Sequence, residues 1–199
     1  TLSGDTATLS SGVTIPAAGI TGVLPVGVTG GSGIDSNKLT HFSTWMMDTG
    51  FNNTAGSNTV YTANWTKGTS LSRGYLGSDM TQASGIFTFP VTGIWQITFN
   101  IGYNGGPARY IDAAIDTTTD ATAGTPTYTQ TARQMTHLAD VTGGTDFGGC
   151  TASLIWDVVD EDEYKVRFAT YTYSGQTISL YGSATVNYTY ATFTRLGDT

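Results

Sequence analysis

Apolar and polar residues alternate most regularly along the chain between Gly85 and Tyr103. Side chains on a β-strand point to opposite faces in turn, so this alternation predicts strands with one face on a core and one face in water. Pro90 has no N–H to donate to a neighbouring strand, and Gly93 relaxes the backbone, so a corner is predicted between two strands. The predicted buried faces consist of Phe87, Phe89 and Val91 before the corner, and of Trp95, Ile97, Phe99, Ile101 and Tyr103 after it.

Shorter runs with the same alternation follow through the rest of the chain. Tyr164, Val166 and Phe168 alternate with Lys165 and Arg167. Further strands are predicted within residues 110–116, 128–138, 154–159, 178–181 and 186–193, with Gly-rich or polar turns between them. About eight to ten strands at short spacing indicate a sandwich or barrel, and no long amphipathic helix or heptad repeat is predicted.

The first 35 residues have a different character, with no aromatic residue and almost no charge. Such a segment cannot bury enough surface to fold alone, so it needs copies of itself or another surface to lie against. We therefore predict an extended arm over residues 1–35 and a globular head over residues 36–199, with a disordered linker as the alternative for the arm. The predicted arm contacts are Ile15, Ile20, Val23, Leu24 and Val26.

Composition supports an all-β head and excludes two classes of partner. Only 12% of residues are charged, whereas about a quarter is typical, and the chain has 26 glycines and 12% aromatics. A net charge of −7 and a pI near 4.4 argue against binding to phosphate backbones or anionic membranes. No apolar run approaches the length needed to span a bilayer.

No pattern of catalytic or metal-binding residues is found. Cys150 is the single cysteine and cannot form an intrachain disulfide, so stability must come from packing or assembly. His41 and His137 have no neighbours at metal-ligand spacing, and no G-x-S-x-G elbow is present. We therefore expect no enzyme activity and no catalytic or cofactor-binding residues.

Two clusters of residues, one acidic and one of tyrosines, each allow two interpretations. Acidic residues crowd residues 157–163, where Asp160 and Asp162 are candidate calcium ligands, although a solvated loop accounts for the same pattern. Tyrosines recur near the C-terminus, either as a sugar-stacking platform or as core and subunit-interface residues. These tyrosines are Tyr171, Tyr173, Tyr181, Tyr188 and Tyr190.

The arm carries a first resemblance. The run Gly22-Val23-Leu24-Pro25-Val26, followed by Gly30-Gly31-Ser32-Gly33-Ile34, resembles the G-x-L-P-V-A-x-G-G-T-G segment that recurs in fibre and other virion proteins of tailed bacteriophages. The preceding low-charge segment is similar to the repeats of those fibres. The resemblance covers about the first 35 residues and implies a role in attachment or trimer wrapping.

The head carries a second resemblance. The run from Ser84 to Trp95, SGIFTFPVTGIW, resembles the T-G-x-F-T-x-P-V-x-G-x-Y pattern of the complement first-component globular head, a relative of tumour necrosis factor. Trp95 stands where that pattern has Tyr. The resemblance implies a ten-stranded jelly roll that assembles as a homotrimer. The trimer-interface residues expected on this basis are Trp95, Phe99, Tyr188, Tyr190 and Phe193.

The two resemblances together predict a structural virion protein of a tailed bacteriophage. It would be a homotrimeric fibre, spike or capsid-decoration protein on the particle surface, whose arm contacts other capsid or tail proteins. The alternative is a trimeric adhesin that recognises a host surface glycan or protein, in which three equal sites multiply a weak affinity. Neither hypothesis requires a cofactor, a nucleic acid or a membrane.

Overall fold

The computed structural model describes residues 39–53, 58–67, 74–105, 110–137, 146–173 and 178–199. All of them belong to one unit, Leu39–Thr199. The predicted arm and its contact residues Ile15, Ile20, Val23, Leu24 and Val26 lie outside the described residues.

The described part of the chain contains fourteen β-strands and no helix. Several of the strands have only two or three residues, so they exceed the predicted eight to ten in number. In chain order they are β1 Phe42–Met47, β2 Phe51–Asn53, β3 Asn58–Val60, β4 Trp65–Thr66, β5 Tyr75–Leu76, β6 Thr81–Ala83, β7 Ile86–Thr88, β8 Gly93–Gly105, β9 Tyr110–Thr118, β10 Thr129–Thr136, β11 Asp146–Val158, β12 Lys165–Tyr173, β13 Ile178–Leu180 and β14 Tyr190–Gly197. The all-β prediction is confirmed.

The strands form two antiparallel sheets that pack face to face. In sheet A the long strand β8 pairs along one edge with β11 and along the other with β14 and β13, and β1 continues the sheet beyond β14. In sheet B the order is β10-β9-β12-β7-β6, with β3 beside β12. This arrangement is a jelly-roll sandwich.

The stretch from Gly85 to Tyr103 joins the two sheets. β7 belongs to sheet B, the chain turns at Phe89 to Thr92, and β8 then runs through the middle of sheet A. Side chains of β8 alternate between buried and half-buried along nearly its whole length, as the sequence pattern predicts. The Pro90 corner is therefore the point where the chain crosses between the layers of the sandwich.

A two-residue turn sets the register of the β6–β7 hairpin. Ser84 and Gly85 have φ of 50° and 75° and connect Ala83 directly to Ile86. Positive φ at both residues is the geometry of a type I′ turn, which suits the twist of a hairpin. A Cβ on Gly85 would lie 1.9 Å from the carbonyl oxygen of Tyr61, so glycine is required at this position.

The core between the sheets is dominated by aromatic rings. Trp65 and Phe87 meet edge to face with ring centroids 5.2 Å apart, and Phe89 packs on Trp95 at the same separation. Trp95, Phe99 and Phe193 are each at most 1% exposed in this core. They offer no surface to a second chain, so their expected role at a trimer interface is corrected to a role in the core of the single chain.

One long strand of sheet A is interrupted by an insert. β13 and β14 both pair with the same edge of β8, and residues 182–189 leave the strand between them. The amide of Tyr181 and the hydroxyl of Thr189 bond to Gly102 of β8 at the two ends of this insert. A Cβ on Gly102 would lie 3.1 Å from the Tyr188 carbonyl oxygen, so the insert rests closely on sheet A at this glycine.

Candidate functional site

Apart from Asp157 near the end of β11, the outward side of sheet A is a broad surface without charged side chains, which we call the neutral face. Its residues alternate with the buried residues of β8, β11 and β14. They carry amide, hydroxyl, aliphatic or aromatic groups, or no side chain at all. The neutral face consists of Gln96, Thr98, Asn100, Gly102 and Asn104 on β8, Phe147, Gly149, Thr151, Ser153 and Ile155 on β11, and Tyr190, Thr192 and Thr194 on β14.

Polar groups on the neutral face bond to one another across the strands. The hydroxyls of Thr98 and Thr192 share a hydrogen bond, and Thr151 donates to Asn100 Oδ1 at 2.5 Å. Polar groups that already have protein partners lose less when a second surface excludes water from them. The neutral face is therefore suited to burial against another protein surface.

Three aromatic rings form a ladder at one end of the neutral face, which we call the aromatic ladder. The rings of Phe147 and Tyr181 are stacked with an interplanar angle of 7° and centroids 6.1 Å apart, and Tyr188 lies 5.5 Å from Tyr181. Phe147 is 69% exposed and Tyr188 is 48% exposed. An exposed aromatic cluster on an uncharged face is typical of a protein–protein interface.

The outward side of sheet B has the opposite character, and we call it the charged face. Asp112 on β9 is fully buried beneath its neighbours, pairs with Arg133 and accepts the Tyr171 amide at 2.6 Å. The Arg133 guanidinium lies 5.5 Å and 5.7 Å from the ring centres of Tyr110 and Tyr171. Burial raises the pKa of Asp112 above its ordinary value, and the Tyr171 amide and Arg133 oppose this rise.

A second pair repeats the arrangement further along β9. Asp116 is 3% exposed and lies 3.2 Å from the Arg167 Nε. The Arg167 guanidinium lies 4.2 Å from the ring centre of Tyr128. Each aspartate of β9 thus meets an arginine from a neighbouring strand, and each arginine packs on tyrosine. The two buried carboxylates of the charged face are therefore each paired with an arginine.

A third feature is a cavity at the turn between β9 and β10. It has a volume of about 410 Å³ and opens to solvent. Every lining residue carries a side-chain oxygen, and we call this feature the threonine cavity. It is lined by Thr117, Thr118, Thr119, Asp120, Thr127, Thr129 and Thr131.

The acidic residues after β11 form a turn. The Asp160 carboxylate accepts the amides of Asp162 and Glu163 at 2.9 Å and 3.2 Å, and Glu163 binds the Thr122 amide. Within the described residues, no group of three or more His, Cys, Asp or Glu is placed to hold a metal ion. For Asp160, one of the two candidate calcium ligands, the structure therefore shows a role in closing a turn.

Burial shifts the pKa values of His41 and Cys150. The His41 ring lies 6.0 Å from that of Trp95, and burial and the nearby Arg195 lower its pKa. Burial raises the pKa of the Cys150 thiol to about 11, and its Sγ lies 3.5 Å from the Gln134 carbonyl oxygen. A thiol with so high a pKa is a weak nucleophile at neutral pH. No helix long enough to cross a membrane occurs among the described residues.

Four of the five tyrosines singled out in the sequence are divided between the two faces, and the side chain of Tyr173 lies outside the described part of the structure. Tyr181, Tyr188 and Tyr190 lie on or beside the neutral face, whereas Tyr171 lies on the charged face. They do not form one stacking platform. For Tyr188 and Tyr190, a role at a subunit interface stays a prediction, and Phe147 joins them as a residue that sequence reasoning did not identify.

The paired aspartates were also missed from the sequence. Asp112 and Asp116 lie four residues apart and so face the same side of one strand, which is a visible signal. Their partners Arg133 and Arg167 come from different strands, and only the strand register brings them together.

Comparison with known proteins bears on the fold. No family model and no curated protein sequence matches the chain. Solved structures do match. The Eiger TNF structure from S. frugiperda aligns with a TM-score of 0.53 and 14% identity over 81% of this chain and 96% of its own. A crystal structure of murine APRIL aligns with a TM-score of 0.52 and 11% identity over 79% of this chain and all of its own.

These likenesses concern the fold alone, because both identities are low. They agree with the resemblance found in the run from Ser84 to Trp95. The fibre-like resemblance of residues 1–35 falls outside the described residues and stays a prediction. The head of this protein is a tumour necrosis factor-like jelly roll.

Proposed function

We propose that this chain is a homotrimeric structural protein of a tailed-phage virion, displaying its jelly-roll head from a fibre, spike or capsid surface and lacking enzyme activity. The observation that carries the self-association is the neutral face with its aromatic ladder. The virion location is supported by the sequence resemblance of residues 1–35 to phage fibre segments.

Electrostatics favour a second copy of this chain as the occupant of the neutral face. The chain has a formal net charge of −7, so copies repel one another wherever their charged surfaces approach. The neutral face lets two copies meet without bringing like charges into contact. Its exposed Phe147 and Ile155 supply apolar area, and the paired hydroxyl and amide groups need no new partners.

The test is the solution mass of the intact chain, measured by light scattering. We expect the mass of three chains. The variant Ser153→Arg places a charge in the middle of the neutral face, and we expect it to shift the mass towards one chain. Thr81→Arg places the same charge on the exposed short strand β6 of sheet B and serves as the control. A native monomer, or an unchanged trimer in Ser153→Arg, would contradict an interface on this face.

The virion location is tested separately. An antibody raised against the chain is used to label intact particles produced from the genome that encodes it. We expect label on the particle surface. A chain found only outside purified particles would overturn this part of the proposal.

The second candidate is a trimeric adhesin that binds a host glycan, and the threonine cavity is the observation that favours it. In that case the head still self-associates, and its function is to bind the glycan ligand. The absence of enzyme activity is tested by incubating the chain with host polysaccharide and assaying reducing ends, where any product ladder would contradict both candidates.

A further inference from the structure

The threonine cavity lies at the turn between β9 and β10, the two strands at one edge of sheet B. Ile115 is the last apolar residue on the inward side of β9, and Thr117 takes the next inward position. The strands stay paired beyond Ile115, because Thr117 lies opposite Thr129 of β10 and Val166 of β12 in the strand register. A volume of about 410 Å³ falls within the range of about 300–1,000 Å³ typical of small-molecule sites.

The lining restricts the chemistry of a ligand. A threonine hydroxyl both donates and accepts hydrogen bonds, and the Asp120 carboxylate accepts them. No cationic side chain is among the lining residues, and Asp120 repels anions. No aromatic or large aliphatic side chain lines the cavity either. The lining therefore matches a neutral ligand that carries several hydroxyl groups.

Some of the hydroxyls are already engaged and others are free. Thr117 and Thr131 share a hydrogen bond of 2.5 Å, and Thr118 donates to Asp120. The side chains of Thr119, Thr127 and Thr129 have no hydrogen-bond partner within the described part of the chain. The buried Thr117 and Thr118 are thus fixed by internal bonds, while the exposed Thr119, Thr127 and Thr129, which we call the rim, present unpaired donors and acceptors.

The loop that closes the cavity is anchored at several points. Asp120 accepts the Thr127 amide at 3.1 Å, which ties the two ends of the loop together. The Ala121 amide bonds to the Glu163 carbonyl at 3.1 Å, and the Thr122 amide bonds to the Glu163 carboxylate at the same distance. A binding loop held in place before the ligand arrives loses less conformational entropy on binding.

We propose that the threonine cavity binds a neutral saccharide unit through the free hydroxyls of its rim. The inference deepens the adhesin alternative and rests on it, by naming the binding site and the ligand class. Binding by one cavity is expected to be weak, and several copies in one assembly would strengthen it through avidity.

The experiment is saturation-transfer NMR on the intact chain. The probes are the methyl glycosides of glucose, galactose, mannose and N-acetylglucosamine, with N-acetylneuraminic acid as an anionic comparison. We expect transfer to at least one neutral glycoside and none to the anion. Thr129→Val and Thr119→Val each replace a rim hydroxyl with a methyl group of similar size, and each should weaken binding about three- to tenfold. Thr81→Val, an exposed strand threonine away from the cavity, should bind as the native chain does.

The other outcomes each contradict the proposal. They are no transfer to any neutral glycoside, equal binding by all the variants, and binding of the anion at least as strong as that of the neutral sugars. Light scattering on the same samples separates the two proposals, because a trimer that binds no sugar overturns the cavity assignment and leaves self-association standing. Two rim variants guard against a single one that fails to fold.

Discussion

Phe99 of β8 and Phe168 of β12 stack across the gap between the two sheets, with ring centroids 4.7 Å apart and an interplanar angle of 29°. Neither side chain has any exposed surface. Phe168 also contacts Trp65, Phe87 and Phe193, so it lies at the centre of the aromatic core. The two sheets are joined chiefly by such ring contacts.

Replacing Phe168 with alanine removes this contact and leaves a cavity that the rigid sheets cannot close. We expect Phe168→Ala to lower the free energy of unfolding by about 3–5 kcal/mol. Urea denaturation followed by tryptophan fluorescence measures the change. Val159→Ala, at a side chain that is 54% exposed, is the control and should change stability by less than about 0.5 kcal/mol. Equal effects of the two variants would show that Phe168 does not hold the core.

Thr170 organises a buried polar network beside the aromatic core. Its hydroxyl bonds to the Tyr61 hydroxyl and accepts from Asn53 Nδ2 at 2.5 Å. Thr170→Val keeps the shape and leaves both partners without this bond, so we expect a loss of about 1–3 kcal/mol in unfolding free energy. Thr170→Ser retains the hydroxyl and should lose less in the same denaturation experiment. If serine is as damaging as valine, the methyl group matters more than the hydrogen bonds.

The buried Asp112 makes stability depend on pH. Because burial raises its pKa in the folded chain, the protonated form is favoured there, and this contribution to stability is lost as the pH rises through the raised pKa. Asparagine does not titrate. The unfolding free energy of the native chain, minus that of Asp112→Asn, should therefore fall as the pH is raised from the ordinary carboxyl pKa towards neutrality.

This difference is measured by urea denaturation at a series of pH values. Asp48→Asn, at an exposed position on the turn after β1, is the matched control. A difference that grows with rising pH would mean that the ion pair with Arg133 outweighs the cost of burial.

Cys150 should react slowly with alkylating reagents in the folded chain. With a thiol pKa of about 11, little thiolate is present at pH 8. Unfolding returns the pKa to about 8.5, so denaturant should speed alkylation about a hundredfold. Mass spectrometry of an iodoacetamide time course measures both rates. A similar rate in both states would show that the native thiol is not shielded.

The sequence was informative where one strand carries its own signal and uninformative where two strands must be brought together. The alternation along β8 predicts which face of the strand is buried, and the structure confirms it. Alternation does not show whether the buried face is covered by a second sheet of the same chain or by another subunit. Trp95 and Phe99 were therefore assigned to a subunit interface, although they pack inside one chain.

Register explains the remaining differences. The pairing of Asp112 with Arg133 depends on how β9 aligns with β10, and a bulge between Gln130 and Ala132 shifts that alignment by a residue. In the sequence, the threonines within residues 117–127 indicate a polar connection between two strands. Only folding of the β9–β10 hairpin places them around a common space.

The turn between β11 and β12 has a consequence for any closed ring of copies. Asp157, Asp160, Glu161, Asp162 and Glu163 place five carboxylates within seven residues at one corner of the head. Cyclic symmetry brings the same corner of every copy to the same height along the axis. The assembly would therefore have one strongly electronegative end, so that mobile cations gather at that end and rising ionic strength favours ring closure.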